Sequence, residues 1–219
     1  MVTDNKIEKP DIQYADLFWL FILGSLLGVP LEGLFCLVRY GHWETHVVTI
    51  WGPFCALYGL GAVGFYVGGV YLADRKLFTR FLVFAFVGTA IELLSGLLLE
   101  YGLNMYAWDY SEHSFNFHGY SSLQMDIVWG VVGVAAAQGA PYLYRLIITH
   151  HNDRANAFAK LLTVFLVIDV IFTAICVYRW SQRHVGAPAS NAFFQWIDTR
   201  YDDSFMSQRF CEWRFLDER

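Results

Sequence analysis

Five apolar stretches of about 20 residues, roughly 17–38, 53–73, 80–101, 123–147 and 159–180, constrain this chain more than any motif in it, because runs of that length read as membrane-crossing helices. In hydrocarbon every backbone N–H and C=O must be satisfied inside the protein. The expected fold is therefore all-α, a multi-pass transmembrane helical bundle of about five spans. Composition agrees: 56% of the 219 residues are hydrophobic, 16% are charged and the mean hydropathy is +0.38, too apolar for a soluble domain of this size. A net charge of -5 without a basic stripe excludes a nucleic-acid footprint, since phosphate binding leans on clustered Lys and Arg. The four cysteines stand singly, with no C-x-x-C pair. At most one disulfide is expected among Cys36, Cys55, Cys176 and Cys211.

The first sixteen residues are polar, and the apolar run behind them is too long for a signal-peptide core, which points to a retained anchor. Lys6, Lys9, Arg75, Lys76, Arg80, Arg145, Arg154 and Lys160 fall on one side of the spans, whereas the opposite loops hold little besides Arg39. That asymmetry makes residues 1–16 a cytoplasmic segment, residues 17–180 the transmembrane domain and residues 181–219 an aromatic tail outside. Arg179 and Arg183 pull against this orientation without reversing it. The expected setting is the cell (inner) membrane, crossed several times.

One of these runs, "VGTAIELLSGLLLEYG" at residues 87–102, carries Glu92 near its middle. A carboxylate at that depth costs a few kcal/mol, roughly 3 or more, unless it is paired or faces the protein interior. Glu32 in the outer half of the first span, Tyr58 about two turns inside the outer end of the second and Asp126 at the outer surface, where the fourth begins, are expected to serve one outward-facing region. They lie beneath the outer loop "YAWDYSEHSFNFHGYSS", which offers Asp109, Tyr110 and Asn116. These seven residues form the candidate site for a substrate or ion. Each acid could instead only hydrogen-bond to a neighbouring helix and fix packing. "GVPLEG" and "GTAIEL" also place Gly28 and Glu32, and Gly88 and Glu92, at one four-residue spacing, and Trp51-Gly52 and Trp129-Gly130 stand at the following spans. The pattern reads as a duplicated two-helix unit, the kind of repeat that places a site at its centre. Gly61, Gly64 and Gly68 are expected to serve close helix packing, and Pro30 to bend the first helix.

The run of "LGVPLEG", "WGPFCALYG", "IELLSGLLLEYG", "WDYSEHSFNFHG" and the later "WG" resembles a bacterial membrane family labelled as ABC-transporter permeases of the CmpB type, type IV. The resemblance covers about residues 24–135 and leaves the tail out. It implies a transporter-like role. It also implies that Glu32, Gly52, Pro53, Tyr58, Gly59, Glu92, Trp108, Asp109, Tyr110, Ser111, Asn116 and Gly119 stand at the family's characteristic positions. This chain departs from that pattern at "HVVT", at Tyr120 and at Ala56; the first two are places where the family carries a cation.

Two carboxylates close together in a membrane can share a proton or coordinate a cation, and either use suits a transporter or permease-like subunit with an outward-facing polar site. Two alternatives stay open. One is an accessory subunit that binds another membrane protein through the aromatic tail. The other is an intramembrane enzyme acting on a lipid or quinone headgroup, although Ser111 and Ser114 lack a G-x-S-x-G setting. No cofactor is indicated. A metal held by Asp109, His113 and His118 lacks the tight ligand spacing that would recommend it. The expected partners are the lipid bilayer, other membrane subunits and a separate ATPase, since the chain has no G-x-x-x-x-G-K-[ST].

Overall fold

The computed structural model describes residues 12–148 and 153–219. The N-terminal segment with Lys6 and Lys9 lies outside the described residues. Five long helices fall on the five apolar stretches: α1 (Tyr14–Tyr40), α2 (Ala56–Tyr71), α3 (Leu77–Leu97, running into a π-turn over Leu98–Gly102), α4 (Leu123–Ile148) and α5 (Asp153–His184). Two short helices, α6 (Ala192–Arg200) and α7 (Asp203–Arg209), follow in the tail. Among the described residues three helical segments are long and apolar enough to cross a membrane: Tyr14–Val38, Leu77–Gly102 and Asp153–His184. At 16 residues α2 is shorter, about 24 Å at the usual rise, because its first turn starts at Ala56 and not at residue 53.

The helix ends follow from local chemistry. α1 continues through Pro30 and stops at Gly41, whose φ of +79° suits a residue without Cβ and whose N–H returns to the Leu37 carbonyl. Asn191 caps α6 by accepting from Phe194 N–H, and Asp202 caps α7 by accepting from Phe205 N–H.

Glycines set the pairing of α1 with α2 and of α3 with α4, since in lipid there is no hydrophobic drive between helices and close van der Waals approach matters most. A Cβ on Gly28 would lie 2.2 Å from the Tyr58 ring, and one on Gly88 would lie 2.3 Å from Trp129. Each antiparallel pair thus seats the ring of its second helix on the glycine one turn before the glutamate of its first. The Trp-Gly pairs do not correspond in the same way: Trp51-Gly52 precedes α2, whereas Trp129-Gly130 lies inside α4. Of the three α2 glycines expected to serve packing, Gly68 faces Phe84 closely and Gly61 has only a distant neighbour. Gly88→Ala should therefore cost about 1–3 kcal/mol by overpacking against Trp129. Gly61→Ala should be nearly silent in the same thermal unfolding experiment in detergent.

All helix ends belong to one of two sets. The start of α1, the α2–α3 turn with Arg75 and Lys76, and the start of α5 with Arg154 share one end, where Phe18 and Ile22 pack on Ala159 and Leu166. At the other end lie the 41–55 connection, the 103–122 loop and the tail. There Ile197, Tyr201, Met206, Phe210, Trp213 and Phe215 from the tail pack with Cys176, Val177 and Trp180 of α5 and with Ile50, Leu99 and Met105. The tail forms a cap over that end, pinned by a two-residue strand pair of Met105 and Tyr106 with Phe215 and Arg214. All four cysteines are free, and Cys36, Cys55 and Cys176 are buried, as expected of small apolar residues.

Candidate functional site at the capped end

The buried row of α3 is Phe84, Gly88, Glu92 and Gly96, spaced by four and so aligned on one helix face toward α4 and the 103–122 loop. Leu94 and Leu98 point outward instead. Glu92 is 3% exposed and lies about 15 Å below the end of the π-turn, given the helical rise. Tyr110 reaches down from the loop and donates its hydroxyl to Glu92 Oε1 at 3.4 Å. The second oxygen, Oε2, and the neighbouring Trp129 Nε1 are buried within reach of each other without a well-formed hydrogen bond. One turn earlier Thr89 donates to Asp126 Oδ1 at 2.5 Å, and Ser121 donates to the same oxygen at 2.8 Å. Asp126, half-buried in the first turn of α4, therefore turns its carboxylate onto α3 and the loop. Glu92, Tyr110 and Asp126 belong to one polar cluster.

Glu32 has its nearest partners in a neighbouring cluster, close enough for its charge to reach Glu92. It lies about 12 Å below the end of α1 by helical rise, and its neighbours are Cys36, one turn on, and His46 of the 41–55 connection. Cys36 Sγ is 3.3 Å from His46 Nε2, and Glu44 Oε2 is 3.6 Å from that nitrogen. The other ring nitrogen, Nδ1, meets Glu212 of the tail. His42 holds the second oxygen of Glu44 at 2.8 Å and keeps its carboxyl below the usual range. Burial raises Glu212, with His46 opposing. Burial works against a charged His46 ring, but Glu212 and the surrounding carboxylates outweigh it and raise its pKa. Tyr58 packs beside both Gly28 and the Val29, Val47 and Cys55 cluster, in the first turn of α2 and not two turns inside it.

Asp109 and Asn116 shape the loop. Asn116 donates to the carbonyls of Ser111 and His113 and accepts from Gly119 N–H, so its amide is used within the turn. Asp109 takes a two-pronged contact from Arg219 of the tail at 2.9 and 3.0 Å. The Arg219 guanidinium, followed by Ser111 donors, draws the Asp109 carboxyl down to about 2. Arg219 also lies 5.2 Å over the Tyr120 ring, and burial, then the Glu100 hydrogen bond, pushes the Tyr120 hydroxyl up to about 12. Arg209, on the other side of the cap, donates to the carbonyls of Thr49 and Gly52. The tail thus brings cations to the Thr49 and Gly52 carbonyls and to the Tyr120 ring.

The Asp109–Arg219 pair fixes the sign of a pH effect. Because the folded-state pKa is depressed, its contribution is present above the ordinary carboxylate value and fades as pH falls from about 4 toward about 2. Protease sensitivity of the tail should rise over that window in the parent protein, and Arg219→Gln should show the acid-state sensitivity already at neutral pH.

Sequence reasoning missed Glu44, His46, Glu212, Arg209 and Arg219. The Glu32-x-x-x-Cys36 spacing and the Glu44-x-His46 pair were readable signals, but only the fold carries Glu212 and the tail arginines to them. His113 bonds Ser122 and stacks on Tyr110, and it does not join Asp109 and His118 in a group with metal-ligand spacing among the described residues.

A family model described as Putative ABC-transporter type IV matches residues 19–174. No curated protein and no solved structure matches the chain. The matched range holds both polar clusters except Glu212, and it ends before the cap.

Proposed function

We propose a role in transport on the premise that this chain belongs to the Putative ABC-transporter type IV family. It is a membrane protein of transporter type, and its finer role on this reading is a permease-like subunit of the cell membrane. A proton or cation enters from the capped end, is handed past Tyr110 and is held by Glu92 with Asp126 nearby. The observation that supports the reading is Glu92 itself: a carboxylate buried between helices in a membrane bundle, with one oxygen held by a loop tyrosine at 3.4 Å and the other beside the Trp129 indole N–H without a well-formed hydrogen bond. An acid needed only for packing would be expected to have both oxygens satisfied. The Arg75, Lys76, Arg80, Arg154 and Lys160 end is cytoplasmic on this reading, so the cap and Asp109 face outside. Any ATP-driven step requires a separate ATPase.

The test is flux in proteoliposomes. Vesicles containing the parent chain should dissipate an imposed proton, sodium or potassium gradient faster than empty vesicles. Glu92→Gln, which keeps the shape and the Tyr110 hydrogen bond but not the charge, should run at least about tenfold slower, ~1.4 kcal/mol on the barrier. Equal flux through parent and variant would overturn the assignment of Glu92. A second reading, an accessory subunit docking another membrane protein, draws support from Phe193 and Trp196, which stack on each other and stay exposed on α6.

A further inference from the structure

We propose that Glu32, Cys36, Glu44 and His46 bind a divalent transition-metal ion of the zinc class, with Glu212 as the carboxylate that orients the imidazole. The inference is independent of the role given to Glu92. Three separate segments converge to make this site. Glu32 and Cys36 come from one face of α1 near its end, Glu44 and His46 come from the 41–55 connection, and Glu212 comes from the cap. Ligand atoms of Glu32, Cys36 and His46 lie within 4.8 Å of one another, and so do those of Glu44, His46 and Glu212.

For Cys36, His46 and Glu44 the spacing fits one ion at the Nε2 face of His46, and Glu32 lies within 4.8 Å of the Cys36 and His46 ligand atoms. Zinc bonds of about 2.0–2.3 Å in a tetrahedron set neighbouring ligand atoms about 3.5 Å apart. Here Cys36 Sγ to His46 Nε2 is 3.3 Å and His46 Nε2 to Glu44 Oε2 is 3.6 Å. The outer groups match as well. A metal-bound histidine normally gives its other ring N–H to a carboxylate, and His46 Nδ1 meets Glu212. His42 fixes the remaining oxygen of Glu44 at 2.8 Å.

Charge points the same way. Three carboxylates and a thiol surround the His46 imidazole, with His42 on the far oxygen of Glu44 and the Arg214 charge reaching Glu212. A thiol, an imidazole and carboxylates together favour zinc or its first-row neighbours over calcium and magnesium, which take oxygen ligands. An ion here would tie the end of α1 to the 41–55 connection and, through His46 and Glu212, to the cap.

Purified full-length chain in detergent is loaded with zinc, desalted and assayed for metal per chain, and a parallel sample is loaded with cobalt(II) for its absorption spectrum. The expected result is one zinc per chain and a cobalt spectrum with tetrahedral d–d bands and a thiolate charge-transfer band. Cys36→Ser should lose the charge-transfer band, and Glu32→Gln should hold zinc more weakly while melting like the parent. Glu212→Gln should keep the stoichiometry with affinity about 10–100-fold lower, as for loss of an orienting partner. Failure of the parent to retain zinc would overturn the proposal. So would one zinc held equally by the parent, Cys36→Ser and His46→Gln.

Discussion

Deleting residues 192–219 should unfold the capped end and leave a chain that aggregates in detergent. The cap contributes half of the largest apolar cluster in the molecule, in which Ile197, Met206 and Phe210 are fully buried against Cys176, Val177 and Trp180. Removing it exposes Trp180, Leu99 and Met105 together, and strips Arg209 from the Thr49 and Gly52 carbonyls and Arg219 from Asp109. The point version is Phe210→Ala, expected to cost about 3–5 kcal/mol as an aromatic-to-alanine change at a closed core site. Thermal unfolding followed by tryptophan emission reads both, since Trp180 and Trp213 lie in this cluster. A truncated chain that melts like the parent would mean that the cap rests on the bundle without supporting it.

Asp198→Ala should be the next largest single loss. Asp198 accepts from Arg179 at 2.8 and 2.7 Å and from Arg183 at 2.7 Å, so one carboxylate serves two guanidinium groups at the mouth of α5. The Arg179 side chain is 4% exposed. Without Asp198 it keeps the Ala187 carbonyl at 3.0 Å and the Phe194 ring at 5.9 Å, and its charge is left beside that of Arg183. Breaking a fully buried pair costs about 3–5 kcal/mol; because the Asp198 side chain is 25% exposed, about 3 kcal/mol is the better expectation here. Asp198→Asn, which still accepts hydrogen bonds, should recover part of it. The measurement is the melting temperature of the three proteins in one detergent.

Hydropathy located the bundle because a long apolar run has few alternatives: each of the five stretches carries a helix, and α2, Ala56–Tyr71, is shorter than its stretch at both ends. The inward placement of Glu92 was legible too, since Gly88, Glu92 and Gly96 repeat at four and a helix must align them. The relation of Glu32 to Glu92 was legible only in part: the charge of Glu32 reaches Glu92, but the nearest polar partners of the two differ. Equal depth along two helices says nothing about azimuth, and Glu32 turns toward Cys36 and His46 while Glu92 turns toward Tyr110 and Trp129. Asn116 looked like a site residue from its loop, but its amide is consumed by the turn it closes. The cap was illegible because its pairings, Arg219 with Asp109 and Glu212 with His46, join residues more than a hundred positions apart and leave no periodic trace.

The most direct measurement of the central claim is whether Glu92 is the group that binds the transported ion. Parent, Glu92→Gln and Cys36→Ser proteins are melted in detergent with sodium, potassium, magnesium or calcium, and across the neutral pH range. An ion present at about 100 times its Kd should stabilise the parent and Cys36→Ser by ~2.7 kcal/mol. The same ion should leave Glu92→Gln unmoved. A Glu92→Gln protein that follows the parent for every ion and at every pH would contradict the account and leave Glu92 as a packing residue.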